Sequence, residues 1–533
     1  MRSITLLDCT LRDGGFINNW TFELPAIRDI IHRLDTANVD IIEIGFLNDQ
    51  SEDSCDRTVF PDTRSINRIY KTIKKNNSMV VAMIDYGTCS IEHIEECRET
   101  PLDGIRVIFK KADIKEALSF CQQIKNKGYK VFVQPVSITT YSDKEILNLV
   151  ESVNELDPYA MSIVDTYGLL FKKDLIRYFY LIDNNLSKNI LIGYHSHNNY
   201  QLAYANSMEL LEVNSERNIM LDGSLFGMGK GTGNANTELL ALHLNNHYNK
   251  CYDIDQLLET IDIYISKIFE KTPWGYSLPY YISASNDCHP SYVKYLMDKK
   301  TLSIKSINDI LSSIHSSNKL AYNQPLIEEL YIQYQLKNID DASSCEKLKA
   351  KLSDKSILIL APGTSLKTYK NNIDEYIARD RPLIVSANFV PSNYDIDLAF
   401  VSNSKRYSQL LINEIPSEKQ WEVIATSNIT ELRLKIDYYI NYSGLITNIS
   451  EELYENSTLM LLVLLKKIGI RDVTIAGFDG FSADGHGDYI NEFYNFGSSG
   501  SDAIEKNESI AGAIKDLQQD MTITFLTPTY YLD

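Results

Sequence analysis

Two short stretches of this sequence gather groups that do chemistry. "LLDCTLRDGGF" (6–16) sets Asp8, Thr10, Arg12 and Asp13 within six positions, then Gly14 and Gly15, directly after an apolar strand. "GYHSHNN" (193–199) places His195 and His197 two apart, so on a strand they share a face while Ser196 points away. Two imidazoles side by side at a strand's end suit one divalent metal ion. A carboxylate from another strand end completes the protein ligands and leaves positions open for substrate. Asp13 is the natural third ligand, since the first and seventh strands open on one mouth. A third stretch, "GMGKGTGN" (227–234), spaces its glycines as G-x-G-x-G-x-G, which is not the dinucleotide fingerprint. It either offers amides to an anionic group of the substrate or makes the tight turn that presents Asn234.

Elements must bring these stretches together, and their pattern runs through the first half of the chain. "ITLLDC" (4–9), "VDIIEIGF" (39–46), "MVVAMIDYG" (79–87), "GIRVIFK" (104–110), "YKVFVQPVS" (129–137), "AMSIVDTYG" (160–168), "NILIGYHSH" (189–197) and "IMLDGSLFG" (219–227) read as strands. Amphipathic stretches between them read as helices; the one at 142–156 opens with Ser142 and Glu145, a capping box. Eight strand–helix units in residues 1–250 have the count and size of a (β/α)8 TIM barrel. Polar residues recur at the strand ends: Arg12 and Asp13, Glu43, Asp85, Gln134, Asp165, His195 and His197, and Asp222. A closed barrel converges those ends on one mouth; an open sheet spreads them along an edge.

Residues 251–340 read as a helical extension and 341–355 as a polar linker. From 356 to 533 strands return at 356–363, 382–388, 396–403, 421–427 and 473–480, predicting an open, Rossmann-like α/β domain. The 533-residue chain carries a net charge of −19, which argues against nucleic acid or an anionic membrane as partner. Eight scattered cysteines without a C-x-x-C pair, no signal-peptide pattern and no spanning apolar run lead to an expected cytoplasmic location.

"LLDCTLRDGG", the glutamate of "IIEIGF", "GYHSHNN" and "GMGKGTGNANTE", in this order and spacing, resemble the metallolyase superfamily of TIM barrels. That superfamily includes 3-hydroxy-3-methylglutaryl-CoA lyase, isopropylmalate synthase and 4-hydroxy-2-oxovalerate aldolase. The resemblance implies Asp13, His195 and His197 as ligands of Mn2+ or Mg2+, with Asn234 at or near the ion. It implies Arg12 as the cation that stabilises an enolate oxygen and Glu43 as the acid that holds it. Gly14 and Gly15 are expected to let the backbone pass close to substrate. The substrates implied are a small 2-oxo acid and an aldehyde. Aldolases of this kind keep a histidine three residues after the metal-binding aspartate; here that position is Phe16, and a phenyl ring carries no proton. Tyr86, Tyr167, His289 and Tyr292 are the alternatives, with His289 taken as the catalytic candidate.

In the second half, "ILILAPGTSLK" (357–367), "SANF" (386–389) and the strand spacing resemble bacterial sialyltransferase-like and motility-accessory-factor-like domains. This resemblance implies a nucleotide-sugar site at Gly363, Ser365 and Asn388, with His486 nearby, and a setting in surface-glycan synthesis. The expected activity is a metal-dependent aldolase or lyase acting through a pyruvate-like enolate, in a homo-oligomer. A Claisen-type acyl-CoA synthase, a C-terminal glycosyltransferase with the barrel as scaffold, and a glycan-binding module without turnover are the alternatives.

Overall fold

The computed structural model describes residues 2–71, 73, 77–320, 322–413, 421–430, 435–446, 456–482, 488–491 and 501–532. The chain forms two compact units, residues 1–285 and 286–533.

Eight parallel strands build the first unit: β1 (Ile4–Asp8), β2 (Ile41–Leu47), β3 (Met79–Asp85) and β4 (Gly104–Phe109), then β5 (Lys130–Pro135), β6 (Ala160–Asp165), β7 (Leu191–Ser196) and β8 (Ile219–Gly223). Strand β1 pairs with β2 at Leu7–Ile41 and with β8 at Ile4–Ile219, which closes the ring. The expected TIM barrel is therefore present, with strands close to the apolar runs that predicted them. A strand buried on both faces needs apolar residues at consecutive positions, because one set fills the ring and the other meets the helices. Leu7, Cys9, Ile41, Val81, Phe132, Ala160 and Met220 pack together as one cluster. Their neighbours Leu6, Ile42, Val80 and Val131 join the helix-facing core with Ile27, Ile30 and Leu34 of helix Leu24–Thr36. The capping box of Ser142 and Glu145 is formed at the start of helix Asp143–Leu156.

Arg217 anchors the approach to β7, the strand that carries His195. Its Nε donates to Asp183 Oδ1 at 2.7 Å, and its other nitrogens donate to the carbonyls of Leu186 (2.7 Å) and Ile190 (2.9 Å). Both side chains are buried, so Arg217→Met takes the cation from the Asp183 carboxylate and the donors from four carbonyls, those of Asp183, Leu186, Ser187 and Ile190. It is expected to cost about 3–5 kcal/mol, read as a fall in the denaturant midpoint of the first unit.

The second unit holds a parallel sheet of seven strands: β9 (Ile357–Leu360), β10 (Leu383–Ala387), β11 (Leu398–Val401), β12 (Glu422–Thr426), β13 (Tyr438–Ile440), β14 (Asp472–Ala476) and β15 (Thr522–Phe525). Their order is β13-β12-β11-β10-β9-β14-β15, so the direction of winding reverses at β9. Five of these strands were expected; short β13 and terminal β15 were not. Two expected boundaries differ from the structure. The helical extension divides, with helix Leu278–Ser285 in the first unit and helix Pro290–Asp298 in the second. The supposed linker at 341–355 contains helix Ala342–Leu352, because Leu348 and Leu352, four apart, bury completely in the core of the second sheet. Among the described residues no helix is long and apolar enough to cross a membrane.

Candidate metal centre

Past the end of β1 the chain turns tightly, with the amides of Arg12 and Asp13 both donating to the Cys9 carbonyl. Asp8 and Thr10 tie this turn to the segment that follows the neighbouring strand β8. Asp8 accepts Thr10 N–H at 3.0 Å and Thr237 Oγ1 at 2.6 Å, while Thr10 Oγ1 accepts the Leu225 amide at 2.8 Å. The outcome is a fully buried Asp13. His195 lies near the end of β7 and His197 just beyond it, where the latter bridges to Asn234 in antiparallel fashion.

Asp13 Oδ2 lies 3.2 Å from His195 Nε2 and 3.9 Å from His197 Nε2. The two imidazole rings are nearly perpendicular, with centroids 5.3 Å apart. Asn234 Oδ1 is buried without a hydrogen-bond partner among the described residues. Two imidazoles facing one carboxylate oxygen, with a vacant amide oxygen on the residue that bridges to His197, make a donor set that fits a divalent cation. Cys9 Sγ also lies within 4.8 Å of the Asp13 and His195 ligand atoms. It shares the inner face of β1 with Leu7, a spacing of two that was the only sequence signal for it.

Arg12 stands beside this set. Its Nη1 donates to Asp13 Oδ2 at 2.8 Å and its Nε to Glu43 Oε2 at 2.7 Å. Its Nη2 is buried with no partner among the described residues. Asp222, one of the strand-end acids expected at the mouth, and Arg106, which the sequence reading did not single out, complete the arrangement. Arg106, in the middle of β4, donates to Glu43 Oε2 at 3.2 Å and to Asp222 Oδ2, and Asp222 Oδ2 lies 3.0 Å from His195 Nδ1. A lone arginine inside the apolar run "GIRVIF" was its signal, since a buried guanidinium requires buried acids.

The electrostatics follow from burial and these pairs. Burial opposes ionisation of Asp13, but Arg12, His197 and His195 together hold its carboxyl well below the usual range. Burial also opposes charge on His195, yet its hydrogen bonds to Asp13 and Asp222 lift it above the ordinary imidazole value. His197 is pushed down to about 4 by burial, with Asp13 opposing and the charge of His195 reinforcing, so its ring is neutral near pH 7. Burial raises Asp165 to about 6, against hydrogen bonds from the Leu169 and Leu170 amides. The folded chain thus holds this proton more tightly than the unfolded chain does. The Asp165 contribution to stability falls as pH rises from about 4 through 6, by at most about 3 kcal/mol. Urea unfolding of the wild type and Asp165→Asn at pH 4, 5 and 6 is expected to show this fall in the wild type and not in the variant.

Gly14 and Gly15 are filled by the chain's own atoms. A Cβ on Gly14 would stand 2.3 Å from the Thr10 carbonyl, and one on Gly15 would stand 2.0 Å from the Trp20 ring. Their smallness lets the Arg12–Asp13 turn pack. Phe16 sits half-exposed against Trp20 (4.6 Å) and Phe46 (6.1 Å), with Lys230 Nζ 5.1 Å from its ring centre. The glycine loop returns here as well, for the Lys230 amide donates to Asp13 Oδ1 at 2.9 Å. Tyr280 packs on Gly231 of that loop and is a phenol of the barrel unit. Tyr86 turns its ring to Phe120.

Tyr167 belongs to the first unit, and the remaining sequence-derived residues lie in the second. His289 caps helix Pro290–Asp298 by accepting the Ser291 amide. Gly363, Ser365 and Asn388 line or border a cavity of about 270 Å³ at the carboxyl ends of β9, β10 and β14, with Arg406, Ser457 and Asp488. Asp479 already accepts the Ser365 amide at 2.8 Å and its hydroxyl, and Asn388 bonds Ser402 and Ser457. His486 is outside the described residues.

Comparison with known proteins places the first unit. Residues 3–264 match the family model described as HMGL-like. An oxaloacetate decarboxylase of Mycobacterium tuberculosis is 26% identical over 53% of this chain and 82% of its own length. A 4-hydroxy-2-oxovalerate aldolase of Geobacillus genomosp. 3 is 23% identical over 46% of this chain and 71% of its own. A solved structure of Rhizobium etli pyruvate carboxylase is 12% identical with a TM-score of 0.50, over 66% of this chain and 38% of that one, a likeness of fold alone.

Proposed function

With residues 3–264 a barrel of the HMGL-like superfamily of carbon–carbon lyases, we propose that this chain makes or breaks a C–C bond next to the keto group of a small 2-oxo acid. The observation that carries this reading is the convergence of Asp13, His195 and His197 beside a buried guanidinium nitrogen that has no partner among the described residues. Asp13, His195 and His197 would hold Mn2+ or Mg2+, with Asn234 Oδ1 alongside. Such an ion supplies Lewis-acid stabilisation of the oxygen that gains negative charge as the bond is cleaved or formed. Arg12 Nη2 offers N–H donors to that same oxygen from a buried position. Glu43 fixes the guanidinium so that no reorientation is needed when charge develops. Phe16, Trp20 and Phe46 pack edge to face beside Arg12 and offer apolar surface to a short organic chain, with Lys230 Nζ against the Phe16 ring.

The relatives named as 4-hydroxy-2-oxovalerate aldolases favour pyruvate and an aldehyde as the reacting pair. The test incubates the full chain and Mn2+ with pyruvate and a panel of short aldehydes, and in a parallel arm with acetyl-CoA. Metal-dependent loss of pyruvate with an aldehyde supports the aldolase reading. Loss that requires acetyl-CoA transfers it to a Claisen-type condensation, and no turnover by metal-loaded protein rejects it.

A second reading concerns the other unit. Its cavity lies where the winding of the sheet reverses, the place where open α/β sheets bind ligands. Asn388 adopts a left-handed backbone there, with φ of 60°. This supports a small-ligand site, for which a nucleotide sugar and, through it, a setting in glycan synthesis are the reading proposed. Calorimetric titration with CMP and UDP tests it; binding lost in Arg406→Gln supports it, and no heat with either nucleotide rejects it.

A further inference from the structure

Arg12, on the substrate side of the barrel mouth, and His195, on the side of the ion, share no direct bond other than through Asp13. A second connection runs beneath them. Arg106 has no exposed surface, and its two terminal nitrogens reach two different acids. One is Glu43, whose Oε2 also takes Arg12 Nε. The other is Asp222, whose Oδ2 also meets His195 Nδ1. The six groups form a closed ring, Arg12–Glu43–Arg106–Asp222–His195–Asp13, drawn from β2, β4, β7, β8 and the turn after β1.

We propose that Arg106 is a positioning residue that sets the orientation of His195 and of Arg12 together. The deduction rests on the metal-centre reading above and on two features of the ring. First, Glu43 and Asp222 each use one oxygen for both partners, while Glu43 Oε1 and Asp222 Oδ1 have no partner among the described residues. Each carboxylate is therefore held through a single atom and follows Arg106 if that side chain moves. Second, the ring contains three carboxylates and two guanidiniums, all buried. Without Arg106, Glu43 and Asp222 lose the cation between them, and each keeps only the group it is to position, Arg12 Nε for Glu43 and His195 Nδ1 for Asp222. A turned Asp222 releases the His195 ring, and a turned Glu43 releases the Arg12 guanidinium. A histidine that ligates through one nitrogen depends on the partner of the other for its ring orientation. Arg106 extends that dependence by one residue and links it to the substrate side.

Arg106→Lys tests this, because an ammonium keeps the charge but lacks the fork that spans both acids. Asp222→Asn, nearly isosteric, serves as a second variant if the lysine protein does not fold. Two readouts are taken on the full chain, together with thermal melting. The first is Mn2+ affinity by electron paramagnetic resonance of the free ion, expected to weaken about 10- to 100-fold in a folded variant. The second needs no metal: the low-field proton of His195 Nδ1–H, assigned by its loss in His195→Gln, is expected to shift upfield or exchange away. A folded variant with affinity within twofold of wild type and an unmoved proton would overturn the proposal. If wild type binds no Mn2+, the metal-centre reading fails, and the proton signal alone decides the role of Arg106.

Discussion

Asp13→Ala is expected to lose tight Mn2+ binding and to lower turnover by about 10³-fold or more, the scale of several kcal/mol of charge stabilisation. Asp13 Oδ2 is the atom on which both imidazoles and Arg12 converge, so no neighbouring oxygen replaces it. The loss is electrostatic as well as geometric. Without this carboxylate, two guanidiniums stand against only two carboxylates, so a cation entering there loses the net negative charge that holds it. Asp13→Asn keeps the shape and is expected to recover folding but not affinity, which separates charge from packing. Paramagnetic titration and turnover with saturating Mn2+ measure both effects.

Arg12→Lys is expected to lower kcat by about 10²- to 10³-fold, the usual cost of one preorganised donor to a developing oxyanion. A lysine keeps a positive charge near Asp13, so Mn2+ affinity is expected to fall far less than turnover. It cannot, however, satisfy Glu43 and Asp13 and still present a further N–H pair, as the planar guanidinium does. A split in which kcat drops while metal affinity and KM change little assigns Arg12 to the charge that arises during reaction. An equal fall in metal affinity and kcat would instead give Arg12 a role in holding the ion.

The barrel was legible because each strand buries both faces and so writes an unbroken apolar run, with its functional residue at the carboxyl end. The convergence of Arg12, Asp13, Glu43, His195, His197 and Asn234 on one mouth followed from that geometry and from the family motifs. Arg106 was read only as part of a strand, since its meaning lies in two acids 63 and 116 residues away in sequence. Helix Ala342–Leu352 was hidden by its lysines and serines, which outnumber the two leucines that fold it. Gly14 and Gly15 were read as letting the backbone pass close to substrate; what requires their smallness in the fold is the Thr10 carbonyl and the Trp20 ring, which no local pattern records. His289 lay too near the barrel in sequence to be assigned to a unit; its place in the second unit depends on contacts that no local pattern records.

Formation of a 2-oxo-acid enolate is the central claim, and it can be measured without knowing the acceptor. Pyruvate is incubated in D2O with the full chain and Mn2+, the ion is removed by chelation, and the methyl signal is followed by proton NMR. The account predicts loss of methyl protons well above a control with Mn2+ alone, abolished by Asp13→Ala and slowed by Arg12→Lys. Exchange no faster than that control, in protein that holds the ion, would contradict it.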